Sequence, residues 1–226
     1  ISLPYFDLYE SLLEDHHTNA QNTYGNRGIL APICGGTTHG LMYGSAWASW
    51  TAGAGWLAQL FYDYWLYTGD SDFLETRAVP YMTEVALFYE DFLTEEPDGK
   101  YIFSPSLSPE NTPQGQKTHC TVNATMDIAV ARELLSNLCT ACDLLGIEKA
   151  GVKRWREMVT KLPNYEVNEV GALKEWVHPE LHNNDGHRHL SHFYPVFPGR
   201  EITRERHSKL FQACRVALKE KMRKME

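Results

Sequence analysis

The chain has 226 residues and a formal net charge of −8. Nucleic-acid binding wants a basic patch, so this charge argues against such a partner. No apolar run reaches the ~18 residues that a membrane helix needs, so no membrane partner is expected.

Helical periods dominate the chain. Tyr5, Leu8, Tyr9, Leu12 and Leu13 recur at three- and four-residue steps and predict a first helix, with "YG" at 24–25 as its stop. The glycine-rich "GILAPICGGTTHG" follows as a connection. Residues 45–70 are apolar on nearly every side, which predicts a deeply buried helix closed by Gly69. After a short link, Val79, Met82, Ala86, Tyr89 and Leu93 mark another helix, with Pro80 near its first turn. Strand signal is confined to short pieces such as "KYIF".

The clearest amphipathic helix is "TMDIAVARELLSNLCTACDLLG". Ile128, Ala131, Leu135, Leu138, Cys142 and Leu145 form its apolar face, and Gly146 closes it. Cys139 and Cys142 lie inside this pattern with no second ligand pair, so they read as ordinary helix thiols. With Cys34, Cys120 and Cys214 they make an odd, irregularly spaced set, unlike a disulfide scaffold. Val152, Trp155, Val159 and Leu162 mark a shorter helix, and a last one is expected over residues 203–221 with Thr203 as its cap. Long polar connections thus alternate with short ones, as in a chain of helical hairpins whose function sits at one end.

Three of the long connections carry chemistry. The first holds "GGTTHG", with His39, and leads into Trp47 and Trp50. The second holds "SPSLSPEN", where prolines restrict the backbone around Glu110 and Asn111. Glu110 there is either a solvated loop residue, a helix-cap partner or a catalytic acid. The third, residues 173–199, contains His178, His182, His187, His189 and His192. Their spacing matches no zinc pattern. The residues alone leave two main readings: histidines bonded to the loop's own backbone, or a binding loop. Histidines, Arg188, Asn183 and Asn184 suit sugar hydroxyls, and Trp176 offers a flat face for a sugar ring.

The segment "WLYTGDSDFL" resembles the helix end and link of hydrolases built as six-hairpin (α/α)6 barrels. "GKYIFSPSLSPEN", "TMDIAVARELL", "GALKEW" and "HRHLSHFYPVFPG", in this order, resemble glycoside hydrolase family 95, over nearly the whole chain. The resemblance implies an all-α fold: residues 1–226 as a single domain, a partial (α/α)6 barrel of helical hairpins with long functional loops at one end. It implies inverting cleavage of α-L-fucosidic or α-L-galactosidic linkages, with the glutamate of "SPEN", Glu110, as general acid. An oligosaccharide or glycan is the expected substrate, and no metal or organic cofactor is expected. His187, Arg188, His189, Ser191 and His192 map onto the family's pocket-lining segment, and His39, Trp47, Asn111 and Trp176 join them as expected sugar contacts.

The family's water-activating asparagines and their partner aspartate map outside the chain, so the remaining segments of a longer parent are expected to supply them. The resemblance also implies a secreted or periplasmic bacterial protein. A non-catalytic sugar-binding fragment, or another inverting (α/α)6 hydrolase or phosphorylase, are the alternatives. As an acid, Glu110 has to stay protonated near neutral pH, which a mostly enclosed, aromatic-walled site favours.

Overall fold

A computed structural model describes residues 3–42 and 46–225 of the chain. Two helical hairpins form its centre. The first pairs α3 (Gly53–Thr68) with a rod made of α4 (Ser71–Phe73), a π-helical turn at Leu74–Ala78, and α5 (Val79–Phe92). Gly69 closes α3 at φ 70°, and the Asp70 carboxylate caps the next helix by accepting from the Phe73 amide at 3.0 Å. Pro80 near the start of α5 has no amide hydrogen to give, and the turn before it is widened to the π form.

The second hairpin pairs α6 (Thr125–Leu145) with α7 (Lys149–Lys161) across Gly146. The two hairpins meet where α6 packs against α3 and α5. At the α3–α6 crossing, a Cβ on Gly55 would lie 2.5 Å from Val130 Cγ1, so the helices approach this closely only over glycine. α1 (Leu3–Ser11) and α2 (Leu13–Tyr24) lie on the α3 side, with Phe6 packed on Phe61 and Phe73 at ring distances of 4.6 and 4.8 Å. α8 (Ser208–Met225) packs on a separate apolar cluster built from Ala172, Leu173, Ile202, Ala213, Cys214 and Ala217. A short antiparallel pair, β1 (Thr94–Glu95) and β2 (Tyr101–Ile102), opens the "SPEN" connection.

The predicted faces of α5, α6 and α7 are the ones that pack. Tyr89, Leu135, Leu138, Cys142 and Trp155 are buried in one continuous core. Each large side chain there contributes roughly 1.5–3 kcal/mol by leaving water.

Three expectations are corrected. Ser45 lies outside the described residues, and the segment after it is not one helix: Ala46–Ser49 is a 3-10 turn, and α3 begins at Gly53. Nor is α3 deeply buried, because Trp56, Leu60, Leu66 and Tyr67 are exposed. The final helix begins at Ser208, and Thr203 instead heads a turn of its own, accepting from the Arg206 amide at 3.2 Å.

Candidate functional site

The long connections meet at the end of the molecule where α3 and α6 begin. Glu110 lies at the meeting point of two clefts and lines both. One, of about 570 Å³, is walled by Trp50, Trp56, Met126 and Tyr194 and by the loop Arg188–Ser191. Trp50 meets Trp56 edge-on at 6.2 Å, and Trp56 meets Tyr194 the same way at 6.1 Å, so the wall is a run of three aromatic rings. The other cleft, of about 380 Å³, is lined by Cys34, His39, Met42 and Trp47. Trp47 packs against the His119 ring at 4.9 Å. Among the described residues that line these clefts, Glu110 is the one carboxylate.

The histidine-rich loop holds the Glu110 loop from outside. The Glu110 amide donates to His189 Nδ1 at 3.0 Å, which leaves the neutral ring its proton on Nε2. Arg188 donates to Glu110 Oε2 at 2.7 Å. The Ser191 hydroxyl donates to the Pro109 carbonyl. His187 Nδ1 accepts from the His189 amide at 3.2 Å, and His178 Nδ1 from the Glu180 amide at 3.2 Å. These histidines therefore brace backbone. Among the described residues, no group of three His, Cys, Asp or Glu side chains is placed to hold a metal ion.

Behind the Glu110 loop lie two fully buried carboxylates. Glu175 accepts from the Ser108 hydroxyl at 2.7 Å and from Asn111 Nδ2 at 2.9 Å, with Lys221 Nζ at 3.8 Å. Burial pushes its carboxyl up to about 7, against the opposing pull of Lys221, Ser108 and Asn111. Asp127 accepts from the Ser106 hydroxyl at 2.5 Å and the Leu107 amide at 3.2 Å. Burial pushes it up to about 7 as well, while those two bonds pull it down. Burial, with Lys221 adding to it, holds the His192 imidazole down at about 3, so the ring is neutral.

Glu110, Arg188, His189 and Ser191 thus come together at one cleft, and His39 and Trp47 reach Glu110 from the other. His187 stands one layer back, its ring 5.0 Å from that of His189. Three expected sugar contacts are corrected. Trp176, Asn111 and His192 are fully buried. Trp176 is a core side chain, bridged by its backbone to Ala124, and has no face to offer a ring. Asn111 spends its amide on Glu175 and on the Asn184 carbonyl. The enclosure expected around Glu110 is not made by the described residues, since 41% of its side chain is exposed.

Reading the sequence missed Trp56, Tyr194, Glu175 and Asp127. The last two sit inside "GALKEW" and "TMDIAVARELL", and for Asp127 a charged residue amid an apolar run was the available signal.

The glycosyl hydrolase family 95 catalytic domain model matches residues 1–226. The chain is 30% identical to alpha-L-fucosidase 2 of Arabidopsis thaliana over 96% of its own length and 27% of that protein. It is 26% identical to the "Probable alpha-fucosidase A" of Aspergillus niger over 68% of itself and 20% of that protein. The chain therefore spans about a quarter of the length of these curated relatives. Among solved structures, a protein named as a kojibiose phosphorylase from the human microbiome superposes with a TM-score of 0.59 at 14% identity, covering 75% of this chain and 24% of that one. That likeness concerns the fold, a set of helical hairpins forming part of an (α/α)6 barrel.

Proposed function

The chain belongs to the glycosyl hydrolase family 95 catalytic domains, and from that membership we propose that it carries the acid-bearing part of a glycosidase site acting on α-L-fucosidic or α-L-galactosidic linkages with inversion. Residues 1–226 form one unit of that catalytic domain, and further segments of a longer parent complete the ring. The observation that carries this reading is the position of Glu110, a single carboxylate shared by two clefts. A glycosidic oxygen has a sugar on either side, so an acid that protonates it has to reach both subsites.

Inverting hydrolysis pairs that acid with a water on the opposite face of the ring, activated by a base about 6.5–9.5 Å away. In this reading the base comes from the rest of the parent chain. Arg188 exchanges the Glu110 carboxylate for a sugar hydroxyl when substrate enters, and His189 keeps the acid loop in register through the Glu110 amide. The aromatic cleft of Trp50, Trp56 and Tyr194 takes the glycone. Its apolar wall suits the methyl of a 6-deoxy sugar. The histidine-rich loop binds sugar rather than metal.

The test is hydrolysis of an α-L-fucoside by the full-length parent, followed by proton NMR from the first turnovers. The β anomer should appear first and the α anomer only later, by mutarotation. Initial release of the α anomer would rule out inversion.

A further inference from the structure

We infer that Glu175 is the positioning residue for the acid, clamping the chain on both sides of Glu110 from a place where it touches no substrate. The inference rests on Glu110 being the acid.

Its two carboxylate oxygens are divided between the flanks of that residue. Oε1 takes the hydroxyl of Ser108, two positions before Glu110. Oε2 takes the amide of Asn111, one position after it. The same Asn111 amide also donates to the Asn184 carbonyl at 3.1 Å, which ties the clamp to the histidine-rich loop. Lys221 on α8 closes the set: its Nζ lies 3.5 Å from the Asn184 carbonyl, 3.3 Å from the His187 carbonyl and 3.8 Å from Glu175 Oε2.

The Glu175 backbone is itself fixed. Its amide donates to Asn183 Oδ1 at 2.8 Å, and its carbonyl accepts from the Thr125 amide at the first residue of α6 at 3.0 Å. The side chain therefore reaches from the start of α6 to the acid loop, and it lines neither cleft. Burying a carboxylate and an ammonium costs several kcal/mol per ion before their attraction is counted, so stability alone is a weak reason for the pair. What the pair does geometrically is hold the Ser108 and Asn111 side chains, one on each side of Glu110.

A misaimed acid costs most where the leaving group needs a proton. The full-length parent and its Glu175→Gln variant are compared on an alkyl α-L-fucoside and on α-L-fucosyl fluoride, whose leaving group needs little protonation. Gln keeps the shape but replaces one acceptor oxygen with a donor. kcat on the alkyl fucoside should fall about 10–100-fold, the scale of a misplacement of about 1 Å, while kcat on the fluoride stays within about threefold. Losses that run in parallel on the two substrates, or no loss on either, would overturn the inference.

Where the Glu175 variant does not fold, Ser108→Ala takes its place, removing one arm and leaving the carboxylate beside Lys221. A selective loss of about 3–10-fold on the alkyl fucoside is then expected, and equal effects on the two substrates overturn the clamp. Glu110→Gln is the reference. If it shows no split between the substrates, the acid reading fails and this inference falls with it. A split at Glu110→Gln without one at Glu175→Gln or Ser108→Ala overturns the clamp alone.

Discussion

Asp127 is fully buried in the first turn of α6, and the partners that face it, the Ser106 and Thr51 hydroxyls and the Leu107 and Ala52 amides, are all neutral. Its carboxyl stands at about 7 when folded against an ordinary 3.8. Between those values the folded state keeps a proton that the unfolded state has released. The stability it contributes is thus complete below about pH 4 and is lost as pH rises through about 7, to a total on the order of 4 kcal/mol. His192, held down at about 3, acts in the opposite sense and loses stability as pH falls below its ordinary 6.5. Asp127→Asn cannot ionise, so the melting temperature of the parent enzyme should drop relative to that variant between about pH 4 and about pH 7. A difference that does not move with pH would contradict this account of Asp127. The placement of Glu110 on a loop at the clefts was legible in the sequence because prolines set it apart. Glu175 and Asp127 were not, because their roles depend on partners distant in sequence: Ser108, Lys221 and Ser106.

Among the elements, α3 and α6 exchange the parts that periodicity assigned them. The apolar segment ahead of Gly69 reads as the buried rod, yet its Trp56, Leu60 and Tyr67 face outward. The amphipathic α6 is the central helix, with Met126, Asp127, Ala129 and Val130 buried beside its predicted face. Periodicity reports how apolar a face is, and which neighbour covers it is a matter of the whole ring. The breaks at Gly69 and Gly146 were legible because a single residue dictates each, whereas the late start of α8 depends on the turn headed by Thr203. The α3–α6 crossing gives an element-scale test. Gly55→Ala should destabilise by roughly 1–3 kcal/mol through overlap with Val130. Adding Val130→Ala should recover part of that loss, because the two residues share one contact. Thermal melts of the single and double variants decide it, and additive losses would contradict the crossing.

At the scale of the whole molecule, the apolar surface of α3 continues into a groove of about 440 Å³ shared with α1 and lined by Tyr5, Leu8, Trp56, Leu57 and Leu60. Exposed apolar area of this kind drives association. These 226 residues expressed alone should therefore oligomerise or aggregate, and should show no turnover of an α-L-fucoside. Light scattering and an activity assay check both expectations, and a compact, active monomer would place a water-activating base within this chain. The proposed function turns on a narrower point, proton donation by Glu110. Its most direct test is the kcat of the Glu110→Gln parent enzyme on a fucosyl disaccharide, with α-L-fucosyl fluoride beside it. With Glu110 as the proton donor, a loss of about 10²–10⁴-fold is expected on the disaccharide, the usual range for removing a general acid, and a far smaller one on the fluoride. Small and equal losses on the two substrates would contradict it.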